Sequence, residues 1–329
     1  MARETPALPA APSLNLGYMN AATVVAGEFK KVQIVIVGCG GIGAYMTMHV
    51  GRMMRVLYDS VKGVNLTLCD PDIVGAENLG RQLFCEAEIG VPKALALARR
   101  YSGAWGLNTI AAVEEYSERL LLHSETDLNI IVGCVDSTSG RRDISHTLGR
   151  NPERPGPHVL PKYWWLDCGN LKDTGRVLLG TAPVAEGCRG AFIDSKRCVA
   201  LPSPVLQSPD LLIPQRDEFA GREMSCAELQ MANLQSLNIN AAIAVQAADF
   251  LTRLLVTHNL KRYQCAVNMA SGSVRSSYCT PEEVAGEIRR SKEFVMRKEG
   301  PTFDRTVVAD HVRQIGARRG IEAGLAEGV

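Results

Sequence analysis

The residues able to do chemistry gather in two neighbouring stretches. Gly38-Cys-Gly40-Gly41-Ile-Gly43 is a glycine loop, and Asp70-Pro-Asp72-Ile-Val74-Gly-Ala-Glu-Asn78-Leu79-Gly-Arg81-Gln82 lies just downstream. Backbone amides of a glycine loop can come close to a phosphate, and a helix starting behind the loop favours an anion through its dipole. Such a loop serves NAD, FAD or ATP equally well, and a tight strand-to-helix turn that binds nothing uses the same residues. An aspartate at the position of Asp70 can hydrogen-bond ribose hydroxyls, although Asp-Pro also favours a plain turn. Arg81 and Lys93 break the tie. Neutralising a triphosphate takes several cations, whereas a nicotinamide site needs at most one arginine, for a 2′-phosphate. Asn78 offers an amide nearby, and Gly90-Val-Pro-Lys93 can bring the lysine in at the start of a helix. Each of these side chains taken alone reads as an ordinary solvated surface group.

Asp136, in Gly133-Cys-Val-Asp136, follows an apolar run. A carboxylate there suits Mg2+, which prefers one or two carboxylates together with phosphate oxygens. Its plain alternative is a helix N-cap.

The elements that must hold these groups are legible from apolar patterning. Val32–Val37, Val64–Cys69, a segment around Ile110–Val113 and Asn129–Val132 read as buried parallel strands. Ile42–Leu57 and Ala94–Tyr101 read as helices between them, and Trp164–Leu166 with Arg176–Leu179 brackets a turn at Asn170–Gly175, as in a hairpin. Alternating strands and helices with functional groups at strand carboxyl ends predict an α/β fold, a doubly wound and mostly parallel sheet. The expected organisation is a flexible segment 1–29, a nucleotide-binding core 30–180 and an irregular crossover or lid 181–225. A helix with strands completing the core follows at 226–280, then a charged helical tail at 281–329. The helix pattern after Cys226 runs from Ala227 to Leu255 through Leu229, Leu234, Leu237, Ile243, Val245 and Leu251, and Thr280-Pro-Glu-Glu is a helix start with proline just inside.

Composition narrows the field. Lys and Arg number 36 against 35 Asp and Glu, so net charge gives no reason to expect nucleic acid as a partner. No apolar run approaches the roughly 20 residues that span a bilayer, so no membrane partner is expected. The Pro/Ala-rich start lacks the apolar run of a secretory signal. Ten cysteines without a CxxC pair then read as reduced, mostly buried thiols of a cytoplasmic protein.

As a set, Asp-x-Asp-x-Val-x-x-x-Asn-Leu-x-Arg-Gln, Gly-x-Pro-Lys and Cys-x-Asp with Arg141 shortly after resemble the ThiF/MoeB/ubiquitin-activating superfamily. The chain is most similar to the ThiF-related proteins of the plasmid-type cassette (PRTRC) that joins ParB-related and ThiF-related genes. The resemblance covers residues 30–180 well and the long helix from Cys226 more loosely. It implies a Rossmann-like adenylation domain and an ATP-dependent enzyme, with Mg2+, that adenylates the C-terminal glycine of a small ubiquitin-like (β-grasp) or sulfur-carrier protein. Matching positions imply nucleotide contacts at Gly38, Gly40, Gly41, Gly43, Asp70, Asp72 and Gln82, with phosphate contacts at Asn78, Arg81 and Lys93. Asp136 would hold the metal, and a homodimer is implied as well. Ser225-Cys226-Ala227-Glu228 is similar to the acyl-accepting cysteine of homodimeric activators, and a thiol at a helix start has its thiolate favoured by the dipole. Two features depart from the pattern. Without CxxC pairs no structural zinc is expected, since a site from Cys188, Cys198, Cys265 and Cys279 would have unusual spacing. The N-terminus offers only Arg3 where many relatives place an arginine-rich segment over the partner subunit's ATP. An NAD(P)- or FAD-dependent oxidoreductase and a non-catalytic nucleotide-binding scaffold stay open as alternatives.

Overall fold

The computed structural model describes residues 17–58, 61, 63–80, 82–124, 126–156, 159–214 and 237–297. Eight strands form one sheet: β1 (Lys31–Val37), β2 (Gly63–Cys69), β3 (Thr109–Ala112), β4 (Asp127–Gly133), β5 (Tyr163–Asn170), β6 (Thr174–Gly180), β7 (Arg262–Asn268) and β8 (Ser273–Tyr278). Their spatial order is β8-β7-β6-β5-β4-β1-β2-β3. The run β3-β2-β1-β4-β5 is parallel throughout, and β6, β7 and β8 add antiparallel strands beyond β5. The expected doubly wound, mostly parallel α/β sheet is therefore present.

Helix α1 (Gly41–Leu57) joins β1 to β2, α2 (Lys93–Trp105) joins β2 to β3, and α3 (Thr138–Thr147) follows β4. Helix α4 (Leu237–Leu255) precedes β7, and α5 (Pro281–Glu287) follows β8. Thr280 caps α5 by accepting the Glu283 N–H at 3.2 Å, so the Thr-Pro-Glu-Glu start does what its residue types favour.

Strand β1 shows why its sequence is apolar without alternation. Val32, Ile34 and Ile36 enter a large core with α1, α2 and α4, while Val35 and Val37 enter a smaller one with Ile144 and Leu148 around α3. Both faces are covered, so both sets of side chains must be apolar. The tryptophan pair divides the same way, Trp164 to the larger core and Trp165 to the smaller. β1 and β4 stay paired to Val37 and Gly133, but the connections beyond them leave toward opposite faces and open a crevice at their carboxyl ends.

Three regions differ in detail from the sequence pattern. Of the expected segment 1–29, residues 17–29 are described, and Ala22 and Val24 are buried, with Thr23–Val24 paired to Arg197–Cys198. The packed body thus begins before residue 30. Residues 181–214 hold only short turns of helix and the two-residue strand Arg197–Cys198, yet Ala191, Phe192 and Cys198–Leu201 are buried. Packing without a repeating period gives periodicity nothing to register. In α4 the inward residues include Ile239, Ile243, Ala247, Phe250, Leu251 and Leu254, whereas Val245 is exposed, because residues two apart on a helix face different ways.

Nine cysteines are described, all free thiols, and only Cys85 is exposed. Among the described residues no three His, Cys, Asp or Glu side chains gather to hold a metal ion. Among them, too, no helix is long and apolar enough to cross a membrane.

Candidate functional site

The carboxyl ends of β1, β2, β4 and β5 open onto one cleft of about 420 Å³, a size that suits a small-molecule ligand. Its floor is the glycine loop. Gly38 has φ +88°, and a Cβ there would lie 2.6 Å from the carbonyl oxygen of Cys134. A Cβ at Gly43 would run into the carbonyl oxygen of Gly38, and one at Gly41 would stand 2.7 Å from Asn240 Nδ2 on α4. Only glycines let the loop turn this tightly while α4 approaches it. Gly40 is the N-cap of α1 and brings no side chain to its first amides. Gly40, Gly41 and Ile42 line the cleft, so the positive end of a 17-residue helix faces it.

Asp70, just past the end of β2, is buried and ties the loop down. Its Oδ2 accepts the Cys39 N–H at 2.6 Å and its Oδ1 accepts the Asp72 N–H at 2.8 Å. Burial pushes its carboxyl above the usual range, against the two N–H groups and the Lys93 ammonium, which pull the other way. Each carboxylate oxygen keeps a second acceptor direction, so the group can still take hydroxyls from a ligand.

Lys93 is the most informative side chain. It opens α2, where a cation opposes the helix dipole, so helix stability does not explain it. Its backbone N–H donates to the Asp72 carbonyl at 2.9 Å. Its Nζ lies 2.8 Å from Asp72 Oδ2, with the lysine side chain only 9% exposed and the aspartate 65%. Among the described residues its one ion-pair partner is mostly in water, and the buried Asp70 carboxylate feels its charge as well.

The other sequence-predicted residues divide. Asp136 is exposed and lines the cleft beyond β4. It is not the cap of α3: Ser137 is, accepting the Gly140 N–H at 3.3 Å. Gln82 lines the cleft, and its Oε1 is buried without a partner among the described residues. Asn78 is not on the cleft wall; it is buried, with Oδ1 accepting the Gly75 N–H at 2.9 Å, and so braces its own loop. Gly43 also stays behind the surface, in contact with the loop it turns under. Arg81 and Cys226 lie outside the described residues.

Further residues line the cleft that the sequence alone does not assign to it, Arg141 among them, which has a place only in the family pattern. Glu114 and Glu115 follow β3, and Arg141, Asn170 and Asn240 reach the same space from α3, β5 and α4. Asp167, near the end of β5, is fully buried and bonds Arg141. The strand-end rule that pointed to Asp136 applies equally to Glu114, Glu115 and Asp167. Asn240 leaves no such signal, since it sits within an apolar helical pattern. Among the described lining residues the acids Asp70, Asp72, Glu114, Glu115, Asp136 and Asp143 outnumber the bases Lys93 and Arg141.

Among solved structures, the chain is similar to a crystal structure of PaaA, at 13% identity and a TM-score of 0.49 over 77% of this chain and 65% of that one. It is similar to E. coli MccB with ATP, at 15% identity and a TM-score of 0.46 over 85% and 69% of the two chains. A structure of E. coli MccB with AMPCPP and MccA gives 16% identity and a TM-score of 0.46 over 75% and 64%. The chain thus spans 65% of the length of the PaaA chain. No curated protein matches it in sequence. The stretch that carries the glycine loop, Asp70, Lys93 and Asp136, residues 21–151, matches the ThiF family.

Proposed function

We propose that the cleft takes ATP as a substrate and adenylates the C-terminal glycine of a small ubiquitin-like or sulfur-carrier protein. The observation that carries this reading is the buried Lys93 ammonium in one cleft with an uncapped helix start and with Asp70. Together they offer a cation and a dipole for phosphates and a carboxylate for ribose.

In the proposed reaction a carboxylate oxygen of the carrier attacks the α-phosphorus of ATP. The bond from that phosphorus to the bridging oxygen breaks, pyrophosphate leaves with the electron pair, and an acyl-adenylate forms. Lys93, joined by Arg81, neutralises charge growing on the phosphate oxygens. Asp70 fixes the ribose, which holds the α-phosphorus in line with the attacking oxygen. The surplus of acids over bases along the described wall suits a nucleotide that brings a divalent cation. Asp136 would hold that ion together with phosphate oxygens, and the ion would offset their charge. The Cys226 thiol then attacks the acyl carbon, AMP leaves, and a thioester remains. The protein acts in the cytoplasm as a homodimer, within the ThiF-related group of the PRTRC cassette.

The test is ATP–pyrophosphate exchange by the purified protein with small β-grasp proteins ending in glycine that are encoded beside its gene. Exchange is expected with the cognate carrier, together with a covalent carrier adduct that a thiol reductant removes. Cys226→Ala is expected to keep exchange and lose the adduct. Absence of exchange with every such carrier contradicts adenylation, and an adduct unchanged in Cys226→Ala moves the thiol step to another residue.

A further inference from the structure

Asp136 sits in the short link between β4 and α3, where among the described residues no hydrogen bond of its own side chain fixes its direction. Arg141, one turn into α3, supplies the missing constraint. Its Nη1 donates to the main-chain oxygen of Asp136 at 3.0 Å, and its Nε lies 3.4 Å from Asp167 Oδ1. The arginine is buried and Asp167 is completely so. A buried carboxylate costs free energy unless its lone pairs are used, yet Asp167 Oδ2 has no partner among the described residues. The packing of β5 does not require an acid at this position; the guanidinium opposite it does.

We propose that Arg141 is a positioning residue, anchored by Asp167, that sets the direction in which Asp136 faces the cleft. This inference rests on the adenylation reading for the ion that Asp136 would hold. The planar fork of arginine is what the role demands, since one face of the guanidinium must reach a carboxylate while another reaches a carbonyl. Lysine offers a point charge in one place and cannot span both. Groups that orient a metal-holding side chain typically change metal affinity by about 10- to 100-fold when removed.

The measurement is Mn2+ binding to the full chain in the presence of a non-hydrolysable ATP analogue, followed by water-proton relaxation. Arg141→Lys is expected to weaken Mn2+ binding about 10- to 100-fold. In an Asp136→Asn background the same change is expected to weaken it no further, because the arginine acts through Asp136. Equal weakening in both backgrounds, or none in either, overturns the role. Asp167→Asn keeps an oxygen for Nε while removing the charge, and is expected to weaken binding about fivefold, again only with Asp136 present. That variant decides the question if Arg141→Lys does not fold. Wild-type protein that binds no nucleotide analogue overturns this inference and the adenylation reading together. Wild-type binding with unshifted variants overturns this inference alone.

Discussion

Lys93→Ala is expected to lower carrier-stimulated ATP–pyrophosphate exchange by about 10²- to 10³-fold, the usual loss when one preorganised donor to a developing charge is removed. The expectation is sharp because the fold should barely notice. The lysine's ion-pair partner, Asp72, is 65% exposed, so water readily replaces the ammonium there, and what the fold loses is the lysine's buried stem and its charge beside Asp70. Removing a cation from the start of α2 also relieves an unfavourable interaction with the helix dipole. A large fall in exchange with an unchanged melting temperature would therefore locate the role of Lys93 in the reaction. Unchanged exchange would mean that the ammonium serves only the aspartates beside it, Asp70 and Asp72.

Asp136→Asn is expected to cost about a hundredfold or more in exchange at limiting Mg2+, because neutralising phosphate charge contributes several kcal/mol to such reactions. Part of the activity should return as Mg2+ is raised, since the amide keeps an oxygen but loses its charge. Stability is again expected to stay put: Asp136 is exposed, and Ser137, not Asp136, caps α3. Titrating Mg2+ against exchange rate in both proteins gives the answer. Overlapping curves would remove Asp136 from the site.

The sequence makes the frame of this site readable because the frame obeys simple periodicities. β1 and β4 are buried on both faces, which writes their carboxyl halves, Ile34–Val37 and Ile130–Val132, as apolar runs, and Gly38 is forced by a positive φ against the Cys134 carbonyl. What does not show is whatever depends on strands far apart in the chain lying side by side. The Arg141–Asp167 pair is 26 residues apart and needs β4 and β5 to be neighbours before it means anything. Asn240 reaches the glycine loop only because α4 packs on α1. Asn78 shows the opposite limit: its type and spacing fit a phosphate contact, yet its side chain satisfies the backbone of its own turn. Local chemistry cannot distinguish an amide aimed at a ligand from one aimed at the next peptide group.

The most direct test is a crystal structure of the protein with Mg2+ and a non-hydrolysable ATP analogue. The ribose hydroxyls are expected on Asp70, the phosphates between the start of α1 and Lys93 Nζ, and the ion on Asp136. A nucleotide bound elsewhere, or seated in this cleft with its phosphates away from Lys93, would contradict this arrangement.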